Sequence, residues 1–167
     1  GGFRFNEQWR LTATLDHAER APAEEELFAA GPHIATLAYE IGNPDLKTEK
    51  ANQAELGLIF KNDWVDAKVA GYYNRYDDFI YIVDTGGQWY HEEDNDFLPI
   101  RQWTQNDAVF HGFEGEATFH LANNDTGAWD LRVFGDTVRA RLKEGGNLPR
   151  IAPGRVGAQM RWNADAW

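Results

Sequence analysis

One imidazole and four carboxylates stand within six consecutive residues of the central part of the chain. Imidazole is a good zinc ligand, whereas carboxylates suit harder cations and ease the approach of a hydrated metal ion. The spacing matches no fixed ligand template, and the acidic tip of a solvated loop would have the same composition. If this segment collects a metal, we expect His91 to be the ligand, assisted by Glu92, Glu93, Asp94 or Asp96.

A second candidate ligand is His33, which stands between Pro32 and Ile34 in an irregular segment covering residues 19–49. A connection of this length is usually functional or disordered. There the imidazole would either face a bound ligand or pack within the loop. We predict His33, together with His91, as a ligand-binding and metal-binding residue. A short helix after Pro22 is the only helical stretch that the sequence favours.

The composition excludes several classes of chemistry. The 167 residues carry a net charge of −11, and the 16 lysines and arginines are scattered, so no basic patch for nucleic acid is expected. Without cysteine the chain has no disulfide, thiolate metal site or cysteine nucleophile. Serine-hydrolase, zinc-protease and phosphate-loop motifs are missing too. We therefore expect neither an enzyme nor a resident cofactor; zinc or an iron chelate would be transported cargo.

Strict alternation of apolar and polar residues predicts an antiparallel all-β chain. In the first run, Trp9, Leu11, Ala13 and Leu15 share one face. Five further alternating runs follow, and their pattern alone fits either a soluble sandwich or a membrane barrel. The six runs begin near residues 9, 53, 64, 113, 129 and 155.

Three features favour strands that cross a membrane. The runs extend over about 10 to 20 residues, more than most soluble strands and enough to span a bilayer. Long connections (residues 19–46, 85–105 and 143–150) alternate with tight turns near Asn62, Asn124 and Asn163, as in outer-membrane barrels. Aromatic residues form two predicted girdles. These are Trp9, Phe60, Trp64, Phe119, Trp129 and Trp162 at the tight turns, and Tyr73, Tyr76, Phe79 and Tyr81 toward the long loops.

The face opposite the apolar one carries large charged residues, among them Glu55, Lys68 and Glu114. Such side chains need a wide, wet or plugged lumen, which a small eight-stranded barrel does not provide and a 22-stranded barrel does. We predict that residues 1–167 are one part of a transmembrane β-barrel of about 22 strands. The remaining strands are expected to lie outside this chain.

Several segments resemble the barrel of TonB-dependent outer-membrane receptors. In that family an R-A-P…E-L element closes one strand, and this chain has Arg20-Ala-Pro22 followed by Glu26-Leu27. A G-N-x-x-L-x-x-E element opens the next strand, and it is matched by residues 42–49. The stretches that begin at Tyr72, Phe110 and Leu148 also fit the family in order and spacing, so the resemblance covers nearly the whole chain.

The resemblance implies TonB-powered uptake of a scarce ligand across the outer membrane of a Gram-negative cell. The implied partners are the TonB complex, reached through a plug and TonB box outside this chain, outer-membrane lipid and a small metal-containing ligand. Residues 31–36 and 110–116 look most similar to receptors of the zinc-uptake type, so zinc is expected slightly ahead of a ferric siderophore. The alternative is a soluble β-rich binding module of the lectin or adhesin type, which would be monodisperse without detergent.

Overall fold

The computed structural model describes residues 1–92 and 95–164, which form one sheet of nine strands and one short helix. No helix among these residues has the length and apolar character needed to cross a membrane. The elements are β1 (Gly2–Arg4), β2 (Trp9–Arg20), α1 (Glu24–Phe28), β3 (Ala30–His33), β4 (Ala38–Ile41), β5 (Glu49–Lys61), β6 (Val65–His91), β7 (Asp96–Asn124), β8 (Gly127–Leu142) and β9 (Arg155–Asn163).

Six long strands form the body of the sheet. β2, β5, β6, β7, β8 and β9 pair in this order, each antiparallel to its neighbour. They coincide with the six alternating runs, so the prediction of an antiparallel all-β chain is confirmed. The short helix after Pro22 is confirmed as α1, and the segment around it also holds the β3–β4 hairpin.

Strand register places the apolar positions of all six strands on one surface, here named the apolar face. Paired residues of neighbouring strands point to the same side, so each cross-strand row is uniform in character. Leu15 and Val156 are 85% and 89% exposed on this face, which no other part of the described chain covers. One such row contains Leu11, Leu58, Val69, Gly115, Gly135 and Val156.

The tight turns near Asn62 and Asn124 lie at one end of the sheet, together with the predicted aromatic band, whereas the turn predicted near Asn163 extends outside the described residues. Asn62 begins one of these turns, and its side chain accepts hydrogen bonds from the amides of Trp64 and Val65 at 3.1 and 2.7 Å. Such side-chain-to-backbone bonds are the reason asparagine favours turns. The rings of Trp9 and Phe60 are 4.5 Å apart, and those of Trp129 and Trp162 are stacked at 5.6 Å. These contacts confirm the aromatic band at the tight-turn end.

The predicted aromatic band at the opposite end is wrong for three of its four residues. Tyr73 lies on the apolar face, but Tyr76 has the other parity. A β-bulge then sets Asp77 and Asp78 against a single residue of β7, which also shifts Phe79 and Tyr81 to the side of Tyr76. Tyr76 and Phe79 both pack on Phe110, with ring centroids at 5.1 and 5.2 Å, and Tyr81 stacks on Phe79.

The loop predicted for residues 85–105 is also wrong. β6 continues to His91 and β7 begins at Asp96, so the two strands form a long hairpin that extends well beyond the rest of the sheet. A second register shift lies between Asp84 and Gln88. It contains Gly86 and Gly87, the glycine pair that had suggested a loop. The connection reduces to the few residues after His91.

Candidate functional site

Three charged side chains fasten the long segment between β2 and β5 to the end of the sheet. The guanidinium of Arg20 donates to both oxygens of the Glu26 carboxylate at 3.0 and 2.9 Å, and to Glu49 at 3.4 Å. Glu26 and Glu49 are buried, and Glu49 also accepts a hydrogen bond from the amide of Ile80 on β6. The bond to Glu26, chiefly, raises the pKa of Arg20 above its usual value. We name this group the Arg20 clamp.

The returning chain packs tightly against α1. The amide of Gly42 donates to the carbonyl of Ala29 at 2.7 Å, and the amide of Asn43 donates to that of Glu26 at 2.8 Å. A Cβ atom on Gly42 would lie 2.5 Å from backbone atoms of Leu27 and Phe28, so only glycine fits this approach. The motif that begins at Arg20 and the motif of residues 42–49, one at each end of the segment, therefore meet in one structure.

The β3–β4 hairpin docks on the extended part of β7. β4 pairs with β7 in parallel, with Tyr39 opposite Ile100 and Glu40 opposite Arg101. Arg101 also donates to the carbonyl of Thr36 at 3.1 Å. β3, β4 and the hairpin formed by residues 84–91 and 96–101 thus form the part of the sheet that extends beyond the other long strands, here named the extension sheet.

On one face of the extension sheet, His33 belongs to a polar cluster. Its Nδ1 atom lies 3.2 Å from the Thr36 hydroxyl and 3.6 Å from Oε1 of Glu40. Thr36 donates to the same Glu40 oxygen at 2.7 Å. Glu40 is buried whereas the imidazole of His33 is more than half exposed, so the pair presents one nitrogen ligand backed by a fixed carboxylate.

The other face of the extension sheet is aromatic. The rings of Tyr39 and Trp89 are 5.0 Å apart, and the rings of Trp89 and His91 are 5.3 Å apart. Asp96 is the cross-strand partner of His91 and points to the same side. Tyr39, Trp89 and His91 form what we name the aromatic surface.

The predicted ligand residues are distributed rather than assembled into one centre. Strand register puts His33 and His91 on opposite faces of the extension sheet. Glu92 is exposed in the turn after β6, and Glu93 and Asp94 lie outside the described residues. Among residues 1–92 and 95–164, no three His, Cys, Asp or Glu side chains are grouped as a metal would need. The ligand roles of the six residues stay predictions.

Four residues of the extension sheet were missed by the sequence analysis: Tyr39, Glu40, Trp89 and Arg101. Alternation within residues 88–91 could have revealed that Trp89 and His91 share a face. No local signal marks Glu40 or Arg101, because their pairing joins segments about sixty residues apart in the chain.

Ion pairs join neighbouring long strands on the face opposite the apolar face. Lys68 pairs with Glu114 at 3.5 Å, and Arg132 pairs with Glu116 at 2.5 Å. Arg155 pairs with Asp136 one strand further along. These side chains remain partly exposed on an open surface, as the wall of a wide, wet lumen would require.

A further ion pair fixes the bulge of β6. The Asp107 carboxylate accepts hydrogen bonds from Lys143 at 3.0 Å and from the amide of Asp78 at 3.2 Å. These two bonds join the bulge to the connection that follows β8.

An antiparallel wall that is apolar on one side, charged on the other and banded with aromatic residues is the architecture of an outer-membrane β-barrel. The family model described as TonB dependent receptor-like, beta-barrel, matches residues 1–167, and the chain therefore belongs to the TonB-dependent receptor family. This confirms the resemblance drawn from the sequence.

Solved structures and curated proteins contain similar chains. The copper transporter OprC superposes with a TM-score of 0.74 at 24% identity, covering 98% of this chain and 23% of that one. The siderophore receptor PirA from Acinetobacter baumannii gives 0.61 at 21% identity, with 97% and 25% covered. Hemoglobin-haptoglobin utilization protein B from Neisseria meningitidis serogroup A / serotype 4A is 27% identical over 135 residues, which are 80% of this chain and 16% of the relative. The chain thus spans a quarter or less of each protein.

Family membership fixes the location and orientation of the sheet. The chain is part of an outer-membrane β-barrel of a Gram-negative bacterium, so the apolar face meets lipid and the charged face meets the lumen. The tight turns are periplasmic and the extension sheet is extracellular. The family is one of receptors, which confirms that the chain is not an enzyme. A soluble lectin or adhesin module is not supported.

Proposed function

We propose that the intact receptor containing this chain imports a metal ion or a metal chelate, with energy supplied by the TonB complex. The observation that carries this proposal is the match of the receptor-barrel family over residues 1–167. The extension sheet would then stand at the extracellular mouth, and the Arg20 clamp would hold its β3–β4 half in position. The plug domain and TonB box would be supplied by the rest of the receptor.

The names of the relatives point to a metal-containing ligand. They are a copper transporter, a siderophore receptor and a hemoglobin-haptoglobin utilization protein. We infer that this chain contributes to uptake within the same broad ligand class. Tyr39 and Trp89 would offer flat apolar area to a chelate, while charged residues of the lumen wall would meet a hydrated, polar cargo.

Zinc is the finer hypothesis, and it depends on two histidines. His33 with Glu40 and His91 with Asp96 each offer one imidazole and one carboxylate, which are accepted zinc ligands. A protein-bound zinc ion usually has four ligands, so each pair would be completed by water, by the ligand's own donors or by other parts of the receptor. Because the two pairs face opposite sides, they are two separate candidate sites.

Calorimetry of the intact receptor with zinc and with a ferric siderophore tests the ligand. If zinc is the cargo, His33→Ala or His91→Ala should weaken zinc binding by about tenfold or more. His17→Ala is the matched control, because His17 is an exposed histidine at the barrel wall that bonds Asn52. Zinc binding that is absent, or unchanged in both variants, would exclude the zinc hypothesis for these residues.

Uptake by cells tests transport itself. Cells that express the intact receptor should accumulate the bound ligand when TonB is present, and should bind it without accumulation when TonB is deleted. Accumulation independent of TonB would contradict the proposed energy source, whatever ligand the calorimetry selects.

A further inference from the structure

An apolar groove lies on the lipid-facing surface, between its middle and its extracellular edge. Its floor is built from the small residues Ala54 and Gly71, and larger side chains stand beside it. The groove has a volume of about 520 Å³, within the range of ligand sites in proteins. Its apolar walls are Leu15, Leu56, Tyr73 and Phe113.

Two arginines lie to the side of this groove, on β8. Arg139 is in the cross-strand row of Tyr73 and His111, and Arg141 is in the next row, beyond Val109. Both have the parity of the apolar face and both are exposed. The two Cα atoms are two residues apart on one strand, or about 7 Å. Within the described chain, neither guanidinium has an ion pair or a side-chain hydrogen bond.

Three nearby carboxylates on the same face are paired with other cations. Asp77 pairs with Arg75 at 3.0 Å, and Asp107 pairs with Lys143 at 3.0 Å. Glu19 lies within 3.6 Å of His17 and 3.8 Å of Lys50. Asp77, Asp107 and Glu19 thus each have a basic partner, whereas Arg139 and Arg141 have no ion pair among the described residues.

We propose that this groove and the two arginines form a binding site for a phosphate-bearing lipid of the outer leaflet. One acyl chain would lie in the groove over Ala54 and Gly71, and the phosphate would bind Arg139 and Arg141. Guanidinium groups bind phosphate oxygens through charge-assisted, often bidentate hydrogen bonds. The apolar groove and the unpaired charge are independent observations, and a lipid satisfies both at once because its chain and headgroup are joined.

Native mass spectrometry of the intact detergent-solubilised receptor tests the site with dioleoylphosphatidic acid, dioleoylglycerol and inorganic phosphate. We expect phosphatidic acid to be retained well above the other two probes. Replacing one arginine should weaken its retention about fivefold, and Arg139→Gln with Arg141→Gln should weaken it about 25-fold, if each cation contributes as basic residues at anionic membranes do. Ala54→Leu, which fills the groove, should weaken retention of phosphatidic acid without removing any charge.

Arg161→Gln is the matched charge control. Arg161 is an exposed arginine on the lumen face at the periplasmic end, so its loss should leave lipid retention unchanged. Circular dichroism confirms that each variant keeps its strand content. Equal retention of dioleoylglycerol, competition by inorganic phosphate at the affinity of the lipid, or equal losses in Arg161→Gln and the double variant would each overturn the proposal.

Discussion

The Glu26 carboxylate illustrates how one residue can organise a long loop. It accepts two hydrogen bonds from Arg20 and a third, at 2.7 Å, from the amide of Ala23 at the start of α1. The last bond is the carboxylate half of a capping box, which satisfies an amide that the helix leaves free. Since Glu26 is only 6% exposed, loss of its charge would leave these donors poorly matched.

Glu26→Gln should therefore loosen the segment between β2 and β5. The substitution keeps the shape but removes the charge. We expect local stability to fall by about 1–3 kcal/mol, toward the lower end of that range because Arg20 is partly exposed. Hydrogen exchange of the amides of α1 should become faster by a corresponding factor. Glu24→Gln is the control, since Glu24 is an exposed carboxylate in the same helical turn. Equal effects of the two variants would contradict the clamp.

At the scale of elements, alternation of apolar and polar residues was sufficient to predict the six long strands. Each face of these strands keeps the same polarity over many positions. It was insufficient wherever the register shifts. Asp77 and Asp78 insert one extra residue, so Phe79 and Tyr81 change faces with no change in their own sequence pattern. Gly86 and Gly87 suggest a loop, yet the strands around them remain paired.

The candidate site was predictable only in part for a related reason. His33 and His91 are marked by their residue type, but which face each occupies is set by strand pairing. The four-residue strands β3 and β4 are too short for a periodic signal, and the register of β4 on β7 joins distant parts of the chain. Glu40 and Arg101 consequently have no signature in their own neighbourhoods.

Gly42→Ala should detach the end of β4 from α1. The added methyl group would meet backbone atoms at 2.5 Å, which cannot move as a flexible side chain would. Overpacking of this kind costs about 1–3 kcal/mol. We expect faster proteolysis between β2 and β5 in the folded receptor, with the strands of the barrel unaffected.

Gly31→Ala provides the comparison for this substitution. Gly31 lies on β3 in the same segment, and a Cβ atom there would meet nothing within 4 Å. It should leave proteolysis unchanged. If Gly31→Ala loosens the segment as much as Gly42→Ala does, the close approach of Gly42 to α1 is not what holds the segment in place.

At the scale of the whole molecule, the sheet separates two solvents. The lipid-facing side is apolar across six strands, and the lumen side joins neighbouring strands by ion pairs such as Lys68–Glu114 and Arg132–Glu116. A soluble protein would bury the apolar side, whereas here Leu56 and Phe113 are 58% and 65% exposed. The same residues would be a liability in water and are stabilising only in a bilayer.

This two-sided design predicts opposite responses to the same new charge at the same depth. Leu56 is near the middle of the lipid-facing surface, and Thr14 is one position away in the adjacent strand on the lumen side, opposite Glu55. Leu56→Arg should destabilise the receptor in lipid vesicles by about 2–4 kcal/mol, because arginine near the bilayer midplane is costly. Thr14→Arg should change stability by less than about 1 kcal/mol, because the lumen is wet and Glu55 is close. Denaturant unfolding of the reconstituted receptor measures the stability of both variants. Equal losses of stability would contradict the assignment of one face to lipid and the other to the lumen.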